Sequence, residues 1–228
     1  MMLRISGILA FILFLCHEAV IAQTSDWGLW TNVGIEKKLN KRWDIGFGSE
    51  YRWKEGTALT DQVRGSLDID YKPWKFLKFG AGYVLIADKK KKKDIFVYRH
   101  RFKLDATASY KLKRITASWR LRMQATLYDK TEMDDDELDN YRWVTRNRFG
   151  LKYNVPKLPL KPYAQFEVFN RMFSDITPGY YKNRISAGVE IGVGKRHEFD
   201  LGYKRNSEVS DDERFNFDVI SIGYKFMF

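Results

Sequence analysis

The chain has 228 residues, of which 30 % are charged and 16 % aromatic, and its formal net charge is +11. This composition is unusual for a protein with a single soluble core and fits a molecule with one apolar, ring-rich environment and one wet, charged environment. Mean hydropathy is −0.46, which argues against membrane helices but not against a β-barrel, because barrel strands alternate apolar and polar residues.

Residues 1–22 are predicted to be a cleaved signal peptide. Arg4 gives the positive start, Ile5–Cys16 is an apolar run of export-core length, and Ala22 ends a small-residue cleavage site. The only cysteine, Cys16, lies within this segment. No later stretch approaches the ~18 apolar residues of a spanning helix. We therefore expect an exported chain without disulfides.

A period-two alternation of apolar and polar residues begins at Trp27 and recurs along the mature chain. In residues 42–53 the odd positions are mostly aromatic or aliphatic, and the even positions are charged or glycine. Successive side chains of a strand point to opposite faces, so one face is apolar and the other charged. Rings that flank a segment, such as Tyr98 and Tyr110, are typical of membrane-interface girdles. The alternating segments are 26–38, 42–53, 62–71, 77–87, 95–110, 114–127, 141–153, 161–170, 181–192, 198–204 and 220–228.

The connections between these segments alternate in length, as the short periplasmic turns and longer outer loops of bacterial barrels do. Short connections are expected at 39–41, 72–75, 111–113, 154–161 and 194–197, and longer ones at 54–61, 88–94, 128–140, 170–180 and 205–213. The segments number eleven, whereas bacterial barrels usually have an even number of strands. We therefore expect ten or twelve strands. Either 26–38 is not an ordinary wall strand, or another strand, such as the poorly alternating 161–170, is misassigned.

The last segment is the most specific signal in the chain. Tyr224, Phe226 and Phe228 alternate up to a terminal phenylalanine. This pattern is similar to the C-terminal signal by which outer-membrane barrels are handed to their assembly machinery. We predict that these three residues are the assembly signal.

Several short motifs, in order along the chain, resemble those of one family. They are K-K-L-N-K-R-W (Lys37–Trp43), E-Y-R (Glu50–Arg52), G-A-G-Y (Gly80–Tyr83), R-H-R (Arg99–Arg101), R-N-R (Arg146–Arg148), E-V-F-N (Glu167–Asn170), Y-K-N-R (Tyr181–Arg184) and L-G-Y (Leu201–Tyr203). The chain resembles the small outer-membrane barrels of domain-of-unknown-function family 2490. The resemblance implies an outer-membrane barrel, and it supplies no catalytic residues because the family has no assigned activity.

Basic residues are concentrated on the predicted inward faces. The central group, from three consecutive strands, is Arg99, Arg101, Arg120, Arg122, Arg146 and Arg148; Lys103, Arg114, Arg142 and Arg184 extend it. Asp105 is the one inward carboxylate expected on those three strands, and Asp44, Glu50, Asp68, Asp70, Glu190 and Asp200 face inward elsewhere. The lumen is therefore either packed with ion pairs, for which the Arg fork is suited, or a basic constriction that selects anions.

A lipid-modifying enzyme, similar to barrel phospholipases or lipid A deacylases, is the alternative from another class. It would need a nucleophile and a base near the edge of the bilayer. His100 is predicted to face outward, with outward Asn147 two strands away, but no outward serine lies on a neighbouring strand at a matching height. His197 falls at a short turn. The sequence therefore favours a barrel that is not an enzyme.

Two charge runs fall in longer connections. The lysine run Lys89–Lys93 can meet lipopolysaccharide phosphates electrostatically. The acidic run Asp134–Glu137 has the oxygen ligands of a divalent-cation site, but it lacks a glycine at the turn and a recognisable loop spacing, which favours a solvated loop. No metal or cofactor is predicted. Nucleic acid is a poor partner, because the basic residues alternate through strands that face a lumen.

Together these patterns predict an all-β protein, an antiparallel transmembrane β-barrel of about 10–12 strands. The barrel is expected at residues 23–228, in the cell outer membrane. Its expected role is structural, or that of a small passive pore with a basic, anion-leaning lumen. The expected partners are outer-membrane lipid, lipopolysaccharide, the barrel assembly machinery and small anions.

Overall fold

The computed structural model describes residues 26–54, 59–90, 95–128, 141–172, 179–210 and 213–228. The predicted signal peptide, the acidic run Asp134–Glu137 and most of the lysine run lie outside the described residues. In the described ranges no helix is long and apolar enough to cross a membrane.

The described residues form eleven β-strands. They are Asp26–Lys38 (β1), Trp43–Lys54 (β2), Leu59–Trp74 (β3), Leu77–Lys90 (β4), Ile95–Leu112 (β5), Ile115–Tyr128 (β6), Tyr141–Tyr153 (β7), Leu160–Met172 (β8), Gly179–Val193 (β9), His197–Ser210 (β10) and Glu213–Met227 (β11). Each long alternating segment of the sequence corresponds to one of these strands, so the predicted all-β fold is confirmed.

The strands close into a barrel in which neighbours in sequence are neighbours in space. Consecutive strands pair antiparallel, whereas β1 and β11 pair in parallel, from Asp26 opposite Phe217 to Glu36 opposite Met227. The expectation of an even number is wrong, because β1 is a full wall strand that pairs with both β2 and β11. Eleven strands are joined by ten antiparallel steps, and an even number of reversals leaves the first and last strands running in the same direction. The barrel can then close only through a parallel pair.

One end of the barrel carries the short turns and is called here the short-turn end. In the first of these turns the Asn40 side-chain oxygen accepts hydrogen bonds from the backbone N–H groups of Arg42 (2.8 Å) and Trp43 (3.0 Å), an arrangement that favours asparagine in turns. At the opposite, long-loop end, the expected long connection at 205–213 is wrong. There β10 continues to Ser210, which pairs with Glu213.

The outer wall is apolar and the inner wall polar. Along β5, Phe102, Leu104 and Tyr110 face outward with 51 %, 63 % and 70 % of their surface exposed. Charged residues of the same strand, such as Arg101 and Lys103, line the inner cavity. A soluble protein does not expose such a continuous apolar surface. This inside-out arrangement is that of a transmembrane barrel.

Candidate functional site

Small residues on one side of the lumen make room for long side chains from the other strands. Gly46 and Gly48 of β2 and Gly80 and Gly82 of β4 occupy lumen-facing positions. A Cβ at Gly82 would overlap the side chains of Asp68 and Lys103, whose ion pair measures 2.6 Å from Nζ to Oδ1. The long basic side chains come mainly from β5, β6, β7 and β9, so the two sides of the lumen differ.

Glu167 of β8 is the centre of a cluster of buried charges in the lumen. Its carboxylate lies 2.7 Å from an Nη atom of Arg120, 2.8 Å from one of Arg146 and 3.6 Å from one of Arg184. The Glu167 side chain is 4 % exposed. The Phe169 ring lies on the same face, with the guanidinium carbons of Arg146 and Arg184 4.5 and 5.2 Å from its centroid. One buried carboxylate therefore serves three guanidinium groups.

Asp105 and Arg122 form a second, more balanced pair. The Nε and Nη2 atoms of Arg122 donate to the two carboxylate oxygens of Asp105 at 2.5 and 2.6 Å. This is the bidentate geometry in which an arginine fork binds a carboxylate most specifically.

Glu50 and the Trp30 ring organise the cations beside β1. Glu50 contacts Arg52 at 2.7 Å and Arg64 at 3.5 Å. The Arg52 guanidinium also lies 3.5 Å from the centroid of the inward-facing Trp30 ring, with Arg184 and Lys204 at 5.2 and 5.4 Å. Aromatic faces attract cations, so this ring helps to hold three like charges close together.

Three further cations have no carboxylate partner among the described residues. Arg101 donates to the Thr126 hydroxyl at 2.9 Å, and Arg148 donates to the Gln165 side-chain oxygen at 3.3 Å. The described contact of Lys204 is with the Trp30 ring. Their positive charges are therefore held in place by neutral groups and are not neutralised by them.

These groups meet in one cavity of about 530 Å³. Twelve cationic side chains line it: Arg52, Arg64, Arg101, Lys103, Arg120, Arg122, Arg146, Arg148, Lys182, Arg184, Lys204 and Lys225. Seven described carboxylates lie within ion-pair distance of them: Glu36, Glu50, Asp68, Asp105, Glu167, Glu198 and Glu208. The described cavity is therefore surrounded by an excess of positive charge.

A balanced arrangement of charges lies nearer the short-turn end. We call it the turn-end belt, and it consists of Glu36, Lys225, Glu198, Lys161, Glu190 and Lys152. Acid and base alternate along it at separations of up to 3.9 Å. The belt shares Lys225, Glu36 and Glu198 with the cavity, so the excess of positive charge lies among the other cationic residues of the cavity.

The structure places five of the six residues of the predicted basic cluster around this cavity. Arg101, Arg120, Arg122, Arg146 and Arg148 line the cavity, whereas Arg99 lies outside the lining and pairs with Asp88 at 2.5 Å. The assignment of Arg114 to the lumen is wrong. Arg114 is exposed in the tight turn between β5 and β6, where Lys113 has a φ of 52°. It therefore belongs to the turn and not to a strand of the barrel wall.

Glu167 was missed as a site residue by the sequence reasoning. It lies in the segment with the weakest alternation, because Phe169 occupies a lumen-facing position where a polar residue is expected. The available signal was the spacing of Gln165, Glu167 and Arg171, which places three polar residues on one strand face.

His100 lies on the outer wall, as predicted. Its Nδ1 atom is 2.7 Å from the Tyr83 hydroxyl, and its neighbours across the sheet are Leu85 and Leu127. The described polar partner of His100 is thus a phenol and not the serine or carboxylate that a barrel hydrolase would use. Across the described ranges, no group of three or more histidine, cysteine, aspartate or glutamate residues could hold a metal ion.

The end of the chain pairs with β1 at the seam, the β1–β11 pair that closes the barrel. The backbone N–H of Phe228 donates to the Glu36 carbonyl at 3.0 Å, and its carbonyl accepts from the N–H of Lys38 at 3.1 Å. The Phe228 ring is 53 % exposed and lies beside that of Phe226. Tyr224 contacts His197 through its hydroxyl at 2.9 Å. The three aromatics thus form a ladder on the outer wall.

A family model described as a protein of unknown function, DUF2490, matches residues 27–216. The chain belongs to the DUF2490 family. This confirms the resemblance carried by the short motifs, which lie almost entirely within the matched range. Comparison of this DUF2490 chain with curated proteins finds no match.

The DUF2490 chain is also similar to several solved structures. LpxR from Salmonella typhimurium has a TM-score of 0.49 at 10 % identity, over 80 % of this chain and 83 % of that one. The beta domain of the Bordetella autotransporter Brka has a TM-score of 0.46 at 13 % identity, over 81 % of this chain and 82 % of that one. An anion-selective porin from Comamonas acidovorans has a TM-score of 0.40 at 13 % identity, over 82 % of this chain and 54 % of that one. Every TM-score is below 0.5, so these likenesses carry no argument about the role of this chain.

Proposed function

We propose that this chain is an outer-membrane β-barrel through which small anions pass passively. The proposal rests on the cavity in which twelve cationic side chains meet seven carboxylates. An exterior of exposed rings and aliphatic side chains supports the placement in a membrane. A purely structural barrel would need no such excess.

The excess has a direct electrostatic consequence. Like charges repel more strongly as water is excluded, so guanidinium groups crowded in a narrow lumen favour the entry of mobile anions. Rings of Arg and Lys select anions in pores for this reason. The free volume of about 530 Å³ beside these groups supports a wet lumen over a fully packed one.

The test is a reversal potential across a planar bilayer that contains the refolded protein in a potassium chloride gradient. We expect the reversal potential to be shifted from zero toward the equilibrium potential of chloride. Arg101→Gln together with Arg148→Gln should move the reversal potential toward zero, because these two guanidinium groups have no described carboxylate partner. Arg120 and Arg122 are poorer choices, because each forms an ion pair, with Glu167 and Asp105 respectively, and the removal of Arg122 takes away the bidentate partner of Asp105.

A matched control removes two positive charges outside the lumen. Arg114→Gln together with Lys195→Gln alters exposed short-turn residues and should leave the reversal potential unchanged. A wild-type barrel that inserts without conducting would contradict the pore. A reversal potential shifted toward the equilibrium potential of potassium would contradict the anion preference of the pore.

A further inference from the structure

The Trp30 ring is a meeting point for cations from separate parts of the barrel wall. The Arg52 guanidinium of β2 lies 3.5 Å from the ring centroid, the Arg184 guanidinium of β9 lies 5.2 Å from it and the Lys204 ammonium of β10 lies 5.4 Å from it. Around the wall, β2 and β9 are separated by β1, β11 and β10. These side chains therefore extend into the lumen and converge at one level.

Phe169 and Glu167 of β8 continue this level to β7. The Arg184 guanidinium lies 5.2 Å from the Phe169 centroid as well, and that of Arg146, from β7, lies 4.5 Å from it. Arg184 and Arg146 also share the Glu167 carboxylate, at 3.6 and 2.8 Å. Arg184 is thus the link between the two inward-facing rings.

Glu50 continues the same level to β3, because it contacts both Arg52 and Arg64. We call the five cations joined by these contacts the cation layer: Arg52, Arg64, Arg146, Arg184 and Lys204. Among the described residues, the carboxylates in contact with the layer are Glu50 and Glu167, and Glu167 also pairs with Arg120. The layer therefore keeps an excess of positive charge where its side chains converge.

We propose that the cation layer is the selectivity site of the pore and that it favours small carboxylates over chloride. This inference rests on the proposed passage of anions and adds to it the residues that select them and the class of anion. Rings of charged side chains select ions at such levels in pores. Four of the five cations are arginines, and the arginine fork matches the paired oxygens of a carboxylate. Chloride offers no such pair of acceptors.

Arg148 is a matched control for Lys204. Each lines the cavity and has no carboxylate partner among the described residues. Arg148 donates to Gln165 and lies two residues from Arg146 along β7, toward the short-turn end. In the described part of the chain it lies outside the contacts around Trp30 and Phe169. The two cations therefore differ in position and not in charge.

The first experiment measures the chloride-to-potassium permeability ratio from the reversal potential of the full, refolded barrel in a planar bilayer. Lys204→Gln should lower this ratio by about twofold more than Arg148→Gln does, because a charge acts most strongly where anions lose water. Equal effects of the two variants would mean that the total charge of the lumen sets the selectivity, and would overturn the inference.

The second experiment places potassium chloride on one side of the bilayer and potassium formate on the other. We expect formate to permeate better than chloride. Arg184→Lys keeps the charge but removes the fork, so it should lower the formate-to-chloride permeability ratio by about twofold or more and leave the chloride-to-potassium ratio nearly unchanged. Arg184→Gln should lower both ratios. Glu167 keeps Arg120 and Arg146 as partners in these variants.

Folding is checked by the altered gel mobility of an unheated barrel. Arg52→Lys tests the fork at the Trp30 ring if the Arg184 variants do not fold. A native barrel that prefers chloride to formate, or an Arg184→Lys variant with an unchanged formate ratio, would overturn the inference and leave the anion-selective pore. A native barrel that inserts without conducting would overturn the proposed function, and the selectivity site with it.

Discussion

Replacing Glu167 by glutamine tests whether one carboxylate holds the basic lumen together. The substitution keeps the size of the side chain and one acceptor oxygen, and it removes the negative charge. In the native barrel that charge faces Arg120, Arg146 and Arg184 within 3.6 Å. After substitution the three guanidinium groups would face one another across a neutral amide.

The expected loss follows from the burial of all four groups. Glu167 is 4 % exposed, and the three arginines are 11 to 14 % exposed, so water screens the cluster little. Breaking a buried ion pair by removing one partner costs about 3–5 kcal/mol. We therefore expect Glu167→Gln to lower the free energy of unfolding by that amount.

The measurement is equilibrium unfolding in urea of the barrel in lipid vesicles, followed by tryptophan fluorescence and fitted by linear extrapolation. Glu36→Gln is the matched control, because Glu36 and its partner Lys225 are 29 % and 39 % exposed and Lys225 keeps a second carboxylate, Glu198. An exposed pair contributes about 0–1 kcal/mol, and the control should lose no more than that. The vesicle buffer should contain chloride as its anion, so that phosphate does not take the place of the carboxylate.

A loss below about 1 kcal/mol for Glu167→Gln, equal to that of an exposed pair, would refute the reasoning. A double-mutant cycle adds a second criterion. Arg146→Gln combined with Glu167→Gln removes one of the repelling charges along with the carboxylate, so it should be more stable than Glu167→Gln alone. If the two effects simply add, the residues do not interact.

Two other predictions concern the outer wall and the C-terminus. Leu104→Arg, at the middle of β5 and 63 % exposed, should cost ~2–4 kcal/mol in vesicle unfolding, whereas Leu112→Arg at the end of the same strand should cost ~0–1 kcal/mol; equal costs would contradict the assignment of the bilayer midplane. Phe228→Gln keeps the backbone bonds to Glu36 and Lys38 but removes the ring, so it should lower the folded level in the outer membrane without changing folding in detergent. A normal membrane level would count against recognition of the terminal ring.

The period-two pattern predicts the strands and their faces well, because one wall meets lipid and the other meets charge. On β5 to β7 the pattern assigned the inward residues Arg101, Arg122 and Arg148 to the lumen, where the structure places them. Arg122 lies between Leu121 and Met123, and Arg101 and Arg148 are each followed by a phenylalanine, so apolar neighbours in sequence indicate the direction of each side chain. A one-residue error would have moved the whole strand to the other face.

The faces of two strands were harder to assign from the sequence, because each strand has an aromatic ring that points into the lumen. Trp30 on β1 and Phe169 on β8 occupy inward positions, where they lie against guanidinium groups. A ring on a basic lumen face satisfies cations through its π-system, so apolar character is no longer a marker of the lipid side. This is why Glu167, beside Phe169, was missed, whereas β1 was doubted for a different reason, the even number of strands that is usual in bacterial barrels.

The ion-pair partners could not be read from the sequence either. Asp105 is the only described carboxylate that faces inward on β5 to β7, as predicted, yet Glu167 reaches Arg120 from β8, two strands away. Such contacts depend on strand tilt and side-chain length. The alternation gives the direction of a side chain but not its height in the lumen.

The parallel seam gives the end of the chain a structural role in this barrel. As in any barrel, β1 and β11 have unpaired edges until the two meet, and unpaired backbone groups are costly in lipid. Parallel pairs are slightly less stable per residue than antiparallel ones. The side chains along the seam therefore contribute a larger share of the free energy that stabilises the β1–β11 pairing. At the short-turn end these include Lys225, which bridges Glu36 of β1 and Glu198 of β10, and Lys37, whose Nζ lies 5.4 Å from the centroid of the Phe228 ring. The terminal aromatic ladder and the closing contacts thus belong to the same strand, so the segment predicted to be recognised for assembly is also the one that seals the wall.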